Sequence, residues 1–506
     1  MSRKQSHQLY QSLFIIICIL LSSFSTYAQV DNTISFDRNY YEDFYPGIKQ
    51  RIDEWQDLKF GLLMHWGPYS QWGIDASWSI CPEDVPWAAG GRKDIHGATY
   101  NEYICNYEQL YKTFNPINFN PDRWAKLAKE AGMKYVIFTT KHHDGFCMFD
   151  AHETNYKVTD SSCTFSKNPK SNISKEVFNA FRNENFWVGA YFSKPDWHSD
   201  FYWWRRFPPV DRNPSYSIEK YPEQWKKFLQ YTYAQIDDLT SNYGKLDILW
   251  LDGGWVRIKS QNEINNELKD VYEKNRPIKN AQSQDLKMFK LASLVRANQP
   301  KILIVDRDVK GYQQNYLTPE QTIFDKVIST PWETCMTMAD SWGWVPGEKY
   351  KSSDELIHKL VDIVSKGGNF LLNIGPNAMG EFDTAACNRL KEIGTWMKIN
   401  GESIYGTRPF RYCSDGDLIR YTKSKDGSYI YVFVMNYPTQ TIHLKNIWER
   451  NYIEDIRMLG SNAKVQYKLS KETTDINLPT NLMSASEHVW VLKIKIKKKI
   501  LSKIQN

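Results

Sequence analysis

The sequence lacks several features that mark membrane-spanning, nucleic-acid-binding or zinc-stabilised proteins. The apolar run at residues 13–21 is too short to span a bilayer as an anchor. The formal net charge falls from +6 to +4 without Arg3 and Lys4, which is too small to indicate a nucleic-acid partner. No C-x-x-C pair is present, so a structural zinc site is not expected. The chain also has no internal repeat and no long low-complexity linker.

The first 28 residues have the organisation of a secretory signal peptide. Arg3 and Lys4 precede the apolar run, and the stretch Thr26-Tyr27-Ala28 ends in a small residue. We therefore expect cleavage after Ala28 and export to the periplasm or the extracellular space. Cys18 lies inside the apolar run without the small neighbours that a lipoprotein cysteine needs, so no membrane anchor is expected.

Cysteine is scarce, and an odd number remains after the signal peptide. An odd number permits disulfides in an exported chain but leaves at least one thiol free or paired between molecules. The pairing cannot be read from the sequence. The seven positions are Cys81, Cys105, Cys147, Cys163, Cys335, Cys387 and Cys413.

Aromatic residues, by contrast, are unusually frequent, with 19 Trp and 31 Tyr among 506 residues. Aromatic rings stack on the apolar faces of sugars and also on unstacked nucleic-acid bases. The low net charge and the signal peptide favour a sugar ligand over a nucleic acid.

Apolar runs rich in β-formers alternate with amphipathic helical patterns between about residues 35 and 400. Helices are predicted at residues 121–132, 221–242 and 353–365. This alternation indicates a TIM-like (β/α) barrel rather than separate domains. Strands are predicted at residues 60–65, 134–140, 187–193, 246–252, 301–306, 327–329 and 369–374.

The pattern changes near Arg408 to short alternating runs such as residues 429–434 and 488–493, which are typical of a small antiparallel β-sandwich. We therefore predict a catalytic barrel domain over residues 29–407 and a β-sandwich domain over residues 408–506. Lysines alternate with isoleucines at the start of the basic run 493–499, which predicts an exposed edge strand protected by lysines.

Polar residues follow most of the predicted barrel strands. Asp252 ends its strand, Arg307 follows another, and His65, His142 and His143 end two more. Because the carboxyl ends of parallel barrel strands meet on one face, these side chains are expected to converge there. Such convergence suits a small polar ligand.

Three chemical interpretations of this face are open from the residues alone. A metal site would use His65, His142, His143 and Asp144, but adjacent strand residues point to opposite faces and no H-E-x-x-H pattern is present. A protein that only binds sugar would need the histidines and aromatics but no carboxylate pair. A retaining glycosidase would need two carboxyl groups about 5–5.5 Å apart.

In the glycosidase interpretation Asp252 suits the nucleophile, because it sits at a strand tip beside aromatic residues. The general acid/base is either Glu320 or Glu333. Both lie near predicted strand ends, so the residue pattern does not choose between them.

The chain resembles the retaining α-L-fucosidases of glycoside hydrolase family 29 over essentially its whole length after the signal peptide. Each matching stretch is weak alone, but together they occur in the family's order. The stretches lie at residues 59–67, 140–147, 247–254, 316–321, 341–343, 365–376 and 400–407.

This resemblance implies that Asp252 is the nucleophile and Glu320 the acid/base. From the residue pattern we expect no metal, and no cofactor is expected. It also implies a (β/α) barrel followed by a β-sandwich and a fucosylated glycan as substrate. Trp250, Phe146 and Trp342 are candidates for the apolar wall that faces the methyl group of fucose. The implied substrate-binding residues are His65, Trp66, His142, His143, Tyr191, Trp250, Arg307 and Trp342.

Two other functions stay open beside exo-acting α-L-fucosidase activity. One is a lectin-like fucose-binding protein without catalysis. The other is an exo-glycosidase for an L-galactose-like sugar, which differs from fucose only by a hydroxyl on C6. The linkage cleaved, the natural glycan and the oligomeric state cannot be read from the sequence.

Overall fold

The computed structural model describes residues 41–82, 92–269, 279–437, 441–445, 447, 453–461, 465–470, 472–478 and 486–497. The predicted signal peptide, residues 1–28, lies outside these ranges. Within them, no helix is both long enough and apolar enough to cross a membrane.

A parallel sheet of seven strands forms the centre of the N-terminal part, in the order β5-β4-β3-β2-β1-β7-β6. Nearly all of its residues are buried, as expected for parallel strands covered on both faces. This is the predicted TIM-like barrel architecture. The strands are β1 (Phe60–Met64), β2 (Tyr135–Lys141), β3 (Trp187–Ser193), β4 (Ile248–Asp252), β5 (Leu303–Asp306), β6 (Glu333–Thr337) and β7 (Asn369–Asn373).

The gap between β5 and β6 is bridged by residues 313–321, which we call the closing segment. The Asp306 N–H donates to the Gln313 carbonyl at 2.9 Å on one side. On the other side the Gln321 N–H donates to the Cys335 carbonyl at 2.9 Å. The closing segment thereby completes the ring of strands.

Helices cover this sheet, and the predicted helices at residues 121–132, 221–242 and 353–365 are confirmed. Three side chains of the first helix, Ile48, Ile52 and Trp55, share the core inside the barrel with strand residues such as Leu63. The helices are α1 (Ile48–Leu58), α2 (Tyr100–Thr113), α3 (Pro121–Glu130), α4 (Ile173–Asn183), α5 (Pro222–Asn242), α6 (Gln261–Lys269), α7 (Met288–Asn298), α8 (Ser353–Ser365) and α9 (Thr384–Asn400).

The predicted sixth strand at residues 327–329 is wrong, because the strand lies at β6 instead. The sequence of β6, Glu-Thr-Cys-Met-Thr, looks too polar for a strand that is buried at every position. It tolerates burial because its polar groups are paired. Glu333, for example, accepts hydrogen bonds from the Tyr135 hydroxyl at 2.6 Å and the Trp250 indole at 3.2 Å.

Two antiparallel sheets form the C-terminal part and share one apolar core, so the predicted β-sandwich is confirmed. The larger sheet has the order β12-β15-β10-β9-β8 and the smaller β11-β14-β13. The predicted domain boundary after residue 407 falls at the start of β8. The strands are β8 (Thr407–Asp415), β9 (Ile419–Ser424), β10 (Tyr429–Val434), β11 (Ile442–Leu444), β12 (Ile453–Met458), β13 (Tyr467–Leu469), β14 (Thr474–Ile476) and β15 (Trp490–Ile496).

The prediction of an edge strand at the basic run is wrong for its described part. β15 pairs with β10 on one side and β12 on the other, so it is a central strand. Ile494 and Ile496 face the core, whereas Lys493 lies over the Tyr429 ring at 4.3 Å and Lys495 pairs with Glu454 at 2.7 Å. The alternation therefore reflects an inner and an outer face of one sheet.

Six cysteines carry free thiols in the described part of the chain, namely Cys105, Cys147, Cys163, Cys335, Cys387 and Cys413. Cys105 is exposed, whereas four of the six are buried. The disulfides that the cysteine count permits are therefore not formed by these residues.

Candidate active site

Asp252 ends β4, where the chain turns at Gly253 with a φ of +95°. Its carboxylate accepts a hydrogen bond from Nη1 of Arg307 at 2.7 Å and another from the Tyr191 hydroxyl at 2.6 Å. Burial alone would raise the pKa of Asp252, but the Arg307 charge and these hydrogen bonds hold that pKa well below its usual range. The carboxylate is therefore ionised, although Asp252 is only 7% exposed.

Arg307 joins Asp252 to Glu320. The guanidinium follows β5, and its second terminal nitrogen, Nη2, donates to the Glu320 carboxylate. Glu320 lies on the closing segment, and 42% of its side chain is exposed. One arginine thus holds two carboxyl groups, one in the floor of the site and one at its mouth.

His65 follows β1 and presents a defined ring nitrogen. Its Nδ1 lies 2.8 Å from Oδ1 of Asn373, and the Asn373 amide nitrogen donates to the Trp342 carbonyl at 2.7 Å. Since the amide oxygen must accept, Nδ1 of His65 carries the proton and Nε2 is left as an acceptor. Burial lowers the pKa of His65 to about 4, so the ring is neutral at pH 7.

His143 is oriented in the same way by β3. The Ser193 hydroxyl donates to the Pro195 carbonyl at 2.7 Å, so it accepts from Nδ1 of His143, also at 2.7 Å. Nε2 of His143 lies 3.6 Å from the Asp252 carboxylate. Burial lowers the pKa of His143 to about 3, against the opposing effect of Asp252.

His142 lies on the same side as His143, although the two are adjacent in sequence. A β-bulge interrupts β2 between Thr139 and Lys141, and the strand has ended before His142. The two rings are 4.3 Å apart, and Nδ1 of His142 lies 2.5 Å from the Ser77 hydroxyl. Burial and the neighbouring histidines lower the pKa of His142 well below its usual value.

Aromatic rings complete this side of the barrel. The half-buried Trp342 ring lies 5.1 Å from that of His65, and the Tyr191 ring lies 5.2 Å from it. Trp250 is fully buried and stacks against Tyr191 at 5.4 Å, with the Arg307 guanidinium 5.1 Å from its centroid. Trp250 therefore supports Tyr191 and Arg307 from below.

The structure does not bring Trp66 into this group. Its indole packs among Phe114, Phe119 and Trp124 in the layer between sheet and helices. Its N–H donates to the Asn377 carbonyl at 3.0 Å. The ring points outward because it follows His65, whose side chain points inward.

Glu333 and Phe146 also lie away from Asp252 and Glu320. Glu333 begins β6, at the opposite end of the barrel from the strand tips, and is completely buried. Burial raises its pKa to about 8. Phe146 packs against Tyr156 in the outer core. Of the two acids left open by the residue pattern, only Glu320 contacts Arg307.

Several residues of the site were missed by sequence reasoning. Ser193 and Asn373 end β3 and β7, so a search for polar side chains at every strand tip would have found them. Ser77 lies in an irregular loop and carries no such signal. Trp78 and Trp255 place their rings 5.0 and 5.2 Å from that of His143, which only the folded chain reveals.

Neutral imidazoles beside an ionised carboxylate suit a polyhydroxylated ligand. A neutral imidazole offers one donor and one acceptor, which matches a sugar hydroxyl. Among the described residues, no group of three or more His, Cys, Asp or Glu side chains is arranged to hold a metal ion. The arrangement combines hydroxyl recognition with a carboxylate pair that a single arginine holds.

Comparisons with known proteins identify the family of this chain. Residues 28–402 match the family described as Alpha-L-fucosidase, and residues 416–495 match the Alpha-L-fucosidase C-terminal domain. The tissue alpha-L-fucosidase of Homo sapiens is 27% identical over 90% of this chain and 92% of its own. The alpha-L-fucosidase of Dictyostelium discoideum is 25% identical over 85% and 88%.

Solved structures show the same likeness. Alpha-L-fucosidase isoenzyme 1 from Paenibacillus thiaminolyticus has 28% identity and a TM-score of 0.70, and it covers 89% of this chain and 100% of its own. The alpha-fucosidase of Thermotoga maritima has a TM-score of 0.68 at 24% identity, which shows the shared fold. The chain belongs to the α-L-fucosidase family, glycoside hydrolase family 29.

Proposed function

We propose that this protein is an exo-acting retaining α-L-fucosidase, which removes terminal α-L-fucosyl residues from glycans. The observation that carries the proposal is the Arg307 guanidinium, which contacts both Asp252 and Glu320 beside three buried histidines. A retaining glycosidase needs two such carboxyl groups with different environments.

In the first step an Asp252 oxygen attacks the anomeric carbon of fucose while the bond to the leaving oxygen breaks. Glu320, in its protonated form, gives its proton to that oxygen, so the aglycone leaves as an alcohol. The product is a fucosyl ester of Asp252. Contacts with Arg307 and Tyr191 keep Asp252 ionised and therefore nucleophilic.

In the second step Glu320, now a carboxylate, takes a proton from water. The resulting oxygen attacks the anomeric carbon, and the ester bond to Asp252 breaks. Fucose leaves with its original anomeric configuration, and both carboxyl groups return to their starting states. Glu320 suits this double role because its partly exposed position admits water and the aglycone.

Fucose carries three hydroxyls on carbons 2, 3 and 4 and a methyl group on carbon 5. We propose that His65, His142 and His143 bind the hydroxyls, with Nε2 of His65 and His143 as acceptors. The half-buried Trp342 ring beside His65 would face the methyl group. An L-galactose-like sugar would place its additional hydroxyl against this ring, which disfavours it.

The test is hydrolysis of an aryl α-L-fucoside by wild type, Asp252→Gly and Glu320→Ala, with Glu333→Gln as a matched control for an acid outside the site. We expect Asp252→Gly to lower kcat/KM at least about 10³-fold. Glu320→Ala should lose about 10²–10⁴-fold on a poor leaving group and much less on an activated one. Glu333→Gln keeps an oxygen that can accept from the Trp250 indole, so this variant should show no leaving-group-dependent loss.

Three outcomes would oppose the proposal. Fucose binding without wild-type turnover of either aryl or natural fucosides would favour the lectin-like function. Faster hydrolysis of an aryl α-L-galactoside than of the fucoside would favour the related glycosidase. A leaving-group-dependent loss in Glu333→Gln, with none in Glu320→Ala, would reassign the acid/base.

We also propose export to the periplasm or the medium, with cleavage after Ala28, and a division into domains at residues 29–407 and 408–506. The residue pattern before Ala28 supports the first, and the change from parallel to antiparallel strands at β8 supports the second. N-terminal sequencing of the protein recovered outside the cytoplasm should begin at Gln29. Recovery only from the cytoplasm, with Met1 intact, would oppose export.

A further inference from the structure

Lys141 and Asp196 form an ion pair in which both side chains are completely buried. Nζ of Lys141 lies 3.1 Å from Oδ2 of Asp196, 3.2 Å from Oε1 of Gln235 on α5, and 4.1 Å from the Phe192 ring centroid. The pair therefore sits between the sheet and the helices, behind the residues that face the sugar. Removing two charges from water is costly, and replacing a buried ion pair with apolar residues often leaves the stability of a protein unchanged or higher.

The β-bulge sets the direction of Lys141. Thr139 of β2 pairs with Tyr191 of β3, but Lys141 pairs with the next residue, Phe192, so Thr140 is the additional residue. Because of this extra residue, Lys141 shares the outward face of Phe192. Without the bulge the alternation of the strand would turn Lys141 into the barrel, where the sugar is proposed to bind.

Asp196 connects the loop after β3 to the loop that carries the histidines. Its Oδ1 accepts from the N–H groups of His198 at 3.1 Å and Ser199 at 2.8 Å. The N–H of the next residue, Trp197, donates to the His143 carbonyl at 2.8 Å. Gly145 presses against Asp196 so closely that a Cβ there would collide with the carboxylate.

We propose that Lys141 and Asp196 are positioning residues that hold His143 toward the sugar. Lys141 anchors the bulge that precedes both histidines. Asp196 orders the loop in which the Trp197 N–H binds the His143 carbonyl and the Pro195 carbonyl orients Ser193, which binds Nδ1 of His143. The kinetic consequence rests on the proposed function, because it assumes that His143 contacts fucose.

The competing explanation is that the pair only stabilises the fold. The two are separated by a double-mutant cycle of Asp196→Asn and His143→Ala on kcat/KM for an aryl α-L-fucoside. We expect Asp196→Asn to lower kcat/KM about 100-fold in the wild type, as a misplacement of about 1 Å can do. In the His143→Ala background the same change should cost no more than about twofold, because its target is gone.

The control is Asp247→Asn, which removes one charge from another buried pair. Asp247 binds Arg51 at 2.7 Å with side-chain exposures of 4% and 12%, at the opposite end of β4 from Asp252. Both Asn variants should lower Tm, but only Asp196→Asn should change kcat/KM. Equal losses of kcat/KM in both backgrounds of the cycle, or a matching loss in Asp247→Asn, would overturn the proposal.

A readout without activity separates this proposal from the proposed function. In a crystal structure of Asp196→Asn, we expect the His143 ring to leave its hydrogen bond with Ser193. An unmoved ring would overturn the positioning role even if the enzyme is a fucosidase. A displaced ring in a protein whose wild type hydrolyses no fucoside would instead leave the positioning role standing and refute the proposed function.

Discussion

The chemistry of the site depends on a few atoms whose protonation is set by their neighbours. Asp252 accepts from Arg307 and Tyr191, and both contacts favour its ionised form. His65 and His143 have their Nδ1 protons fixed by Asn373 and Ser193. A nucleophile and two oriented acceptors are thus prepared before any ligand arrives.

Tyr191→Phe tests the contact with the nucleophile. The change removes a 2.6 Å hydrogen bond to Asp252 and nothing larger than one oxygen. A hydrogen bond to a charged group contributes about 1.5–3 kcal/mol, so we expect kcat/KM to fall about 10- to 100-fold. Tyr135→Phe is the matched control, because its hydroxyl binds Glu333 instead. Equal kinetic losses in both variants would contradict a specific role for Tyr191.

The low pKa values of the histidines predict the acidic part of the pH profile. His65 has a pKa of about 4 and His143 of about 3, so both stay neutral at pH 5. We expect imidazole protonation to lower kcat/KM only below about pH 4, measured on an aryl α-L-fucoside. An inflection of the wild-type profile near pH 6.5 that disappears in His65→Gln would contradict this account.

At the scale of elements, the strand tips were predictable because parallel strands all end on one face. Asp252, His65 and Arg307 could be placed from their positions after apolar runs. The bulge in β2 and the closing segment could not be predicted. Both depend on how segments that are distant in sequence pair with each other, and the hydrophobic periodicity of a single strand gives no information about its partners.

Trp66 and Ser77 illustrate the same limit at the site. The motif around His65 places Trp66 near the sugar, but the alternation of directions at the strand end sends its ring outward. Ser77 reaches His142 from a loop whose path no local pattern defines. Side chains on regular strands were therefore predictable, whereas partners from loops were not.

Gly145→Ala tests the loop that carries the histidines. Gly145 has a φ of +76° and no room for a Cβ beside Asp196, whereas Gly406 has a φ of +61° and nothing within 4 Å. A left-handed conformation alone costs a non-glycine residue about 1–2 kcal/mol. We expect Gly406→Ala to lose about that much stability and to keep kcat/KM. Gly145→Ala should lose more stability and also lower kcat/KM, and equal effects would contradict the steric argument.

At the scale of the whole molecule, Glu333 is a completely buried acid whose protonation couples folding to pH. Glu333 has a pKa of about 8, raised by burial from an ordinary value of 4.5. At pH values between 4.5 and about 8, Glu333 is therefore protonated in the folded state and ionised in the unfolded state. The linked stability is fully present below about pH 4.5 and is lost as the pH rises toward 8.

Glu333→Gln should remove this dependence, because glutamine does not titrate. We expect the variant to gain stability relative to wild type as the pH is raised from 5 to 9, measured by denaturant unfolding at each pH. A constant difference between the two proteins over that range would show that Glu333 is not held protonated in the barrel.

The overall architecture was predictable from the sequence because the hydrophobic pattern before Arg408 differs from the pattern after it. The strand–helix alternation before Arg408 and the short alternating runs after it both appear in the structure. The errors fell on β6, whose polar residues are paired inside the fold, and on β15, whose lysines suggested an edge. In both strands the polar side chains have partners on other elements, Glu333 with Tyr135 and Lys495 with Glu454, so their polarity did not indicate an exposed or edge position.

The most direct test of the central claim is to trap the fucosyl-enzyme with 2-deoxy-2-fluoro-α-L-fucosyl fluoride. The fluorine on carbon 2 slows both steps, and the fluoride leaving group restores the first, so the ester accumulates. Mass spectrometry of the digested protein should show one 2-fluorofucosyl group on the peptide that contains Asp252. A label on Glu320 or another carboxylate, or no label in an enzyme that hydrolyses aryl fucosides, would contradict the assignment of Asp252 as the nucleophile.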